Sequence, residues 1–187
     1  MWVKICGITR YEDACIACEA GADAIGIVLT RSSRRVDPAE VGPWIRTMGG
    51  IEKVVVFRNE GPGYIREIAG MLGLNTVQLH TAMTPGHQEL VGRFGIICAV
   101  RNLDEAVIPG DIPCRVLLDP STGTGRTGAW RRHNIPFILA GGLTPENVRQ
   151  AIIQARPVGV DVSSGVESSP GIKDGEKVRK FIKEAKS

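Results

Sequence analysis

The sequence predicts an α/β fold in which eight strand-and-helix units close into a compact (β/α)8 TIM barrel, with residues 1–187 as a single domain. Eight short apolar, β-branched runs recur along the chain, and nearly all are followed by a segment with helical spacing of apolar residues. Strands that alternate with helices form parallel sheets, and eight such units suffice for a closed barrel. A doubly wound open sheet is disfavoured because no G-x-G-x-x-G fingerprint follows the first run.

The predicted strands are continuous apolar runs, as expected of strands buried on both faces. They are 2–5, 24–29, 54–57, 76–80, 96–100, 115–119, 137–140 and 158–162. Predicted helices follow a possible N-cap at Thr9 or a residue around it, start at Asp37-Pro38, and cover 64–72, 85–94, a segment from 144, and about 174–185. Units five and six are shortened, with a short helix at 102–107 and a stub near 130–133.

Composition excludes several classes of protein. Net charge is only +3, without a block of Lys or Arg beyond short pairs, which argues against nucleic-acid binding. No apolar stretch approaches the roughly 18 residues of a membrane span. The five cysteines are odd in number and lack a disulfide rhythm, which indicates a reducing cytoplasm. Cys15-x-x-Cys18 lies in a helical pattern without a second Cys/His pair, so small core residues account for it better than a metal or redox site.

Two strand ends predict a phosphate site. The seventh strand stops at Gly141-Gly142 just before a helix, and the eighth stops at Ser163-Ser164-Gly165. Small residues leave backbone N–H groups unobstructed, and a helix N-terminus favours an anion. In a barrel, the loops after these two strands are the usual place for a phosphate. The predicted partner is therefore a small phosphorylated molecule.

The other strand ends share the same mouth and supply reactive groups. They are Cys6, the Arg31/Arg34/Arg35 cluster, Asn59, His80, Arg101, Asp119 and Asp161. Cys6 and Asp119 come from strands one and six, and a thiol facing a carboxyl suits paired acid/base chemistry. Alternatively, Cys6 is a small residue that lets the strand turn before Gly7, and Asp119 caps a loop or helix.

Three further side chains are candidates for substrate contact. The planar guanidinium of Arg35 fits a substrate carboxylate, with Arg34 as the alternative and a solvated basic loop as the plainer interpretation. His80 fits either a substrate contact or a structural hydrogen bond. Asp161 is near the predicted phosphate site, but its carboxylate would repel a phosphate, so it would instead hold a loop or a substrate N–H.

Seven segments resemble the phosphoribosylanthranilate isomerase family. They are VKICGIT at 3–9, GADAIGIV at 21–28, VQLH at 77–80, LLD at 117–119, GTGRTGAW at 123–130, LAGGLTPENV at 139–148 and GVDVSSGVE at 159–167. The resemblance implies a (β/α)8 barrel that converts N-(5-phosphoribosyl)anthranilate to 1-(2-carboxyphenylamino)-1-deoxyribulose 5-phosphate by an Amadori rearrangement in tryptophan biosynthesis.

The same resemblance implies roles for individual residues. Asp119 matches the general acid, which protonates the ribose ring oxygen, and Cys6 matches the general base, which removes the C2 proton. Arg35 matches the arginine that binds the anthranilate carboxylate. Gly141, Gly142 and the Ser163-Ser164-Gly165 loop match the phosphate site. No metal or organic cofactor is implied, and we expect a cytoplasmic monomer or homodimer.

Two alternative functions and one departure accompany this resemblance. The related histidine-pathway isomerase acts on a bisphosphorylated substrate, which calls for a second phosphate cradle and an aspartate at the position of Cys6. A non-catalytic phosphate-binding barrel would not need both Cys6 and Asp119. Between Asp119 and Trp130 the chain is compact and reads Gly128-Ala129, where the family has a longer loop with Phe-Asp.

Overall fold

Eight parallel strands form a closed barrel in the computed structural model, which describes residues 1–80, 83–103, 113–120 and 130–187. Each strand pairs with the next along the chain, and the eighth pairs with the first. The strands are β1 Trp2–Cys6, β2 Ala24–Val28, β3 Glu52–Phe57, β4 Thr76–Leu79, β5 Gly95–Val100, β6 Cys114–Leu118, β7 Ile138–Leu139 and β8 Gly159–Val162. The predicted fold class is confirmed, and every predicted strand overlaps an observed one.

Helices cover the outside of the barrel. They are α1 Tyr11–Glu19, α2 Pro38–Ile45, α3 Pro62–Met71, α4 Val148–Ala155 and α5 Gly175–Lys186, and they follow β1, β2, β3, β7 and β8. The longest of these, α5, has 12 residues. In the described ranges, no helix has the length and hydrophobicity of a membrane span.

The predicted helix at 85–94 is wrong in type and length, because the chain forms a 3-10 helix at Pro85–Leu90. Its buried residues, His87 and Leu90, are three positions apart, which matches the three-residue turn of a 3-10 helix. The stub predicted near 130–133 has no helical structure. The predicted helix at 102–107 lies largely, and the Gly128-Ala129 segment entirely, outside the described residues.

One predicted helix start agrees with the structure and one differs. Arg10, next to Thr9, is the N-cap of α1, and the Thr9 hydroxyl donates to the carbonyl of Gly171 at 2.5 Å. The segment from Thr144 is a turn that precedes α4, and the Asn147 side chain accepts from Thr144 N at 2.8 Å. The same side chain donates to Gly142 O at 2.9 Å, so this turn anchors the end of β7.

Apolar residues pack on both sides of the barrel wall. Val3 and Ile5 of β1 belong to the main cluster, which includes residues of α1 and α5. A second cluster has members on alternate positions of other strands: Ala24, Val54, Ile97, Leu117 and Ile138. The period of two within each strand separates these two sets, and burial on both faces explains why the strands read as continuous apolar runs.

A hairpin follows β8 and joins three segments through one carboxylate. Its strands are β9 Glu167–Ser169 and β10 Ile172–Lys173. The buried Glu167 accepts two hydrogen bonds from Arg34, both at 2.7 Å, and one from Lys173 Nζ at 2.9 Å. Burial raises the pKa of Glu167, but the two cations outweigh burial and hold that pKa below its usual value. The hairpin is thereby fixed to the loop after β2.

Replacing Glu167 by Gln should lower the free energy of unfolding at pH 7 by about 3 kcal/mol, because the change leaves Arg34 and Lys173 facing each other without a counter-ion. The lowered pKa of Glu167 makes its contribution fully present above the pKa of the unfolded chain, near 4.3, and lost as pH falls through the folded-state value. Urea unfolding at several pH values measures this difference.

The gap between wild type and Glu167→Gln should therefore stay constant from about pH 6 to 8 and narrow below about pH 4. Glu146→Gln is the matched control, since the ion pair of Glu146 with Lys180 is exposed and should matter little. A Glu167→Gln protein as stable as wild type at pH 7 would contradict this account.

Candidate active site

A cavity of about 390 Å³ opens at the carboxyl ends of the strands. This volume falls in the range of small-molecule sites, about 300–1,000 Å³. Most of the predicted site residues line it: Cys6, His80, Asp119, Gly141, Gly142, Asp161, Ser163, Ser164 and Gly165. Arg35, Asn59 and Arg101 were also predicted, but they are exposed and are not among the lining residues. The structure therefore gathers side chains from β1, β4, β6, β7 and β8 around one space.

The ends of β7 and β8 meet backbone to backbone on one wall. A Cβ atom at Gly165 would lie 1.9 Å from the carbonyl oxygen of Leu143, so only glycine permits this approach. Gly141 and Gly142 have φ values of +84° and +68°, which L side chains rarely adopt. Within the described residues, the buried Ser163 Oγ has no hydrogen-bond partner. This wall offers small residues and a free hydroxyl to an anion.

Cys6 lies on the floor of the cavity, where it is 8% exposed. It pairs in register with Gly26 of β2, and a Cβ atom at Gly26 would lie 2.7 Å from the Cys6 sulfur. Glycine at this position thus makes room for the thiol. Burial raises the pKa of Cys6, and nearby Asp161 raises it further, while Lys4 and Lys173 oppose the rise.

Asp161 forms an ion pair inside the barrel. The register of β1 with β8 sets Lys4 beside Asp161, and Lys4 Nζ lies 2.6 Å from Asp161 Oδ1. The Lys4 side chain is fully buried and that of Asp161 is 10% exposed. Burial lowers the pKa of Lys4, but Asp161 and Cys6 outweigh it and raise that pKa above its ordinary value. The lysine therefore stays charged.

His80 is held by a hydrogen bond to Gln78. The distance from Gln78 Nε2 to His80 Nε2 is 2.8 Å, and because an amide nitrogen donates, the histidine nitrogen accepts. The proton of the neutral ring then sits on Nδ1. Burial, helped by the charge of Lys4, lowers the pKa of His80, so the ring is neutral at pH 7. Its chemistry here is hydrogen bonding.

The arginines at the mouth have different surroundings. Arg34 lines the cavity, but its guanidinium donates two hydrogen bonds to Glu167. Arg31 and Arg58 also line the cavity. Arg34 is thus occupied by a structural ion pair, which argues against the alternative in which it clamps a substrate carboxylate.

Sequence reasoning named Asn59 at the end of β3, whereas the cavity is lined by Arg58. Val54 and Val56 of β3 face the barrel interior, so the period of two directs Arg58 inward and Asn59 away. Gln78 and Lys4 were also missed as interior polar residues. Counting every second residue along each strand from a known interior position would have identified them. Among the described residues, no three His, Cys, Asp or Glu side chains group as a metal site requires.

Replacing Gly165 by Ala should weaken binding of inorganic phosphate about tenfold or more, because the new methyl group would push the β8 loop away from Leu143. Isothermal titration with phosphate measures the change. Gly63→Ala is the control, since a Cβ atom at that position of α3 would meet nothing within 4 Å. Unchanged phosphate affinity in Gly165→Ala would show that the anion binds elsewhere.

Comparison with known proteins agrees with this geometry. Residues 3–184 match the family model described as N-(5′-phosphoribosyl)anthranilate isomerase. The chain is 42% identical to the N-(5′-phosphoribosyl)anthranilate isomerase of Trichlorobacter lovleyi, over 98% of this chain and 97% of that protein.

Solved structures agree as well. A phosphoribosylanthranilate isomerase crystallised with reduced 1-(o-carboxyphenylamino)-1-deoxyribulose 5-phosphate superposes with a TM-score of 0.87 at 37% identity, over 100% of this chain and 98% of that one. Monomers of the dimeric enzyme from Thermotoga maritima give a TM-score of 0.82 at 37% identity, over 100% and 99%. From the family match and this identity, the chain belongs to the phosphoribosylanthranilate isomerases, enzymes of tryptophan biosynthesis.

Proposed function

We propose that this protein converts N-(5-phosphoribosyl)anthranilate to 1-(2-carboxyphenylamino)-1-deoxyribulose 5-phosphate, with Asp119 as general acid and Cys6 as general base. The observation that carries the residue assignment is that both side chains line the same cavity as the glycine and serine loops of β7 and β8. A phosphate held at those loops would direct the ribose across the cavity toward the thiol and the carboxyl.

The rearrangement then proceeds in two proton transfers. Asp119, directly after β6, donates a proton to the ribose ring oxygen as the C1–O bond breaks, which opens the ring to a Schiff base. Cys6 takes the proton from C2, the electron pair of that C–H bond moves into a C1–C2 double bond, and the C1=N π pair moves onto nitrogen. The resulting enolamine tautomerises to the ketone. Positioned acid and base groups of this kind contribute about 10²–10⁴-fold each.

The substrate has an anionic group at each end, a phosphate and a carboxylate, and each needs hydrogen-bond donors from the cavity wall. For the phosphate, Gly141, Gly142 and the loop 163–165 provide backbone amides and the free Ser163 hydroxyl. For the anthranilate carboxylate we propose Arg35, whose neighbour Arg34 is occupied by Glu167. A guanidinium binds a carboxylate through two parallel hydrogen bonds.

His80 and Asp161 complete the proposed site. His80 is neutral and hydrogen-bonded through Nε2, so it would offer its Nδ1–H to a substrate oxygen. Asp161 keeps one carboxylate oxygen on Lys4 and lies at the cavity wall, so the other oxygen would accept from the substrate N–H.

We also propose that residues 1–187 form one domain, since the barrel strands run from Trp2 to Val162 and α5 packs on α1 and α4. A monomer or homodimer in the cytoplasm is the proposed form. Enzymes of amino-acid biosynthesis act on soluble metabolites, and the Thermotoga maritima relative is described as dimeric.

Cys6→Ala and Asp119→Asn should each lower kcat by about 10³-fold while leaving the fold intact, because each removes one proton-transfer group. The loss of anthranilate-type fluorescence as the substrate rearranges measures turnover directly. Cys18→Ala is the matched control: Cys18 lies on α1, away from the cavity lining, and its loss should leave kcat unchanged.

Full activity of Cys6→Ala or Asp119→Asn would show that the replaced residue is not the base or the acid, respectively. A folded wild-type protein that binds phosphate without consuming substrate would instead support the non-catalytic barrel.

Arg35→Ala should raise KM about tenfold or more with little change in kcat, because a charge-assisted contact to the remote carboxylate contributes mainly to binding. Steady-state kinetics with the fluorescence assay measures both constants. Arg58→Ala is the comparison, since Arg58 lines the cavity and Arg35 does not. A normal KM for Arg35→Ala with a raised KM for Arg58→Ala would move the carboxylate contact to Arg58.

A further inference from the structure

The side chain next below Cys6 on the same strand is a buried lysine. Lys4 and Cys6 are two residues apart in β1, so both point to the barrel interior. Lys4 is fully buried and does not line the cavity. Lysine is almost never fully buried without a partner, and here the ammonium donates to Asp161 at 2.6 Å. A residue in this place can influence the substrate only through its neighbours.

Among the described residues, the charged groups that act on Cys6 come from four segments. They are Lys4 from β1, Asp161 from β8, Lys173 from β10 and Arg34 from the loop after β2. Lys173 and Arg34 share the carboxylate of Glu167, and Lys4 pairs with Asp161. These ion pairs thus contain three cations and two carboxylates. One positive charge remains in excess beside the sulfur, and a thiolate would balance it.

We propose that Lys4 is a positioning residue that stabilises the thiolate of Cys6. Its catalytic consequence rests on the proposed role of Cys6 as base: the thiolate accepts the C2 proton, an S–H bond replaces the C–H bond, and Lys4 keeps its own proton. Cys6 loses its first proton to water in the open cavity. Asp161 fixes the ammonium in the interior, and the spacing along β1 sets the ammonium below the sulfur.

Electrostatics in the barrel agree with this arrangement. Burial is the largest influence on Cys6 and raises its pKa, and the Lys4 charge is the strongest group opposing that rise. The thiol also helps to raise the pKa of Lys4, which keeps the ammonium charged. Removing the Lys4 charge leaves burial and Asp161 with less to oppose them, so the thiolate becomes rarer at every pH.

The test is the pH dependence of Cys6 alkylation by iodoacetamide, followed by mass spectrometry of the peptide that contains Cys6. Lys4→Met should slow alkylation at pH 8 about tenfold or more, and should move its pH midpoint upward by about one unit or more. Lys4→Arg keeps the charge and should retain most of the wild-type rate. Lys53→Met is the matched control, because Lys53 bonds the carbonyls of Ile45 and Met48, outside the cavity lining.

Lys4→Met leaves the Asp161 carboxylate buried without its cation, which destabilises the fold. A second variant, Lys4→Met combined with Asp161→Asn, therefore removes both charges. If Lys4 acts on Cys6, alkylation in this double variant remains slower than in wild type. If Lys4 only neutralises Asp161, the wild-type rate returns, and that result overturns the proposal, as does an unchanged rate in folded Lys4→Met.

Kinetics supply a second readout that a structural role alone would not move. Lys4→Met should lower kcat with little change in KM. The acid-side limb of the kcat/KM profile, along which activity rises with pH, should move to higher pH together with the alkylation midpoint. Because alkylation needs no substrate, the two proposals separate. Slower alkylation in Lys4→Met, in a protein whose wild type does not isomerise, would support this inference and overturn the proposed function.

Discussion

Pairing of β1 with β8 is the constraint on which the site depends, because it both closes the barrel and aligns the site's two halves. Its register sets Lys4 beside Asp161 and Ile5 beside Val162. Cys6 and Ser163 directly follow the last of these pairs, so the register places the thiol beside the phosphate loop. A slip of one residue would turn the inward side chains of one strand toward the helices.

The barrel interior and the β9–β10 hairpin therefore have to accommodate buried charge. Lys4, Asp161, Glu167 and Lys173 are all buried, and each has an ion-pair partner of opposite sign. Buried ion pairs are weak evidence for stability, since well-packed apolar residues of similar volume often stabilise a core equally well. Their arrangement is easier to explain by its effect at the cavity. It keeps cations near a thiol whose pKa is raised by burial, and these cations limit the rise.

Much of this could be predicted from sequence, because apolar runs that end in glycine, serine or a single reactive residue mark strand ends, and a parallel barrel gathers those ends. Which residues of each strand point into the barrel could not be predicted, since strands buried on both faces show no alternation. For this reason Lys4 was not recognised as an interior residue, and Asn59 was predicted at the cavity in place of Arg58. The ion-pair partner of Arg34 could not be predicted from sequence either, because Glu167 is 133 positions away. The sequence placed the start of α1 to within one residue but could not show that the Thr9 hydroxyl bonds the distant Gly171.

The loop after β2 shows how an exposed arginine remains compatible with carboxylate binding. Arg34 is fixed by Glu167, and the Val36 amide donates to Val28 O at 3.1 Å, so the backbone on both sides of Arg35 is anchored. The proposed contact of Arg35 with the carboxylate therefore starts from a backbone that is already held in place, and only its exposed side chain is left to be immobilised. Immobilising such a side chain costs about 0.5–1.5 kcal/mol. A hydrogen bond to a charged group contributes about 1.5–3 kcal/mol, so the contact can exceed its cost.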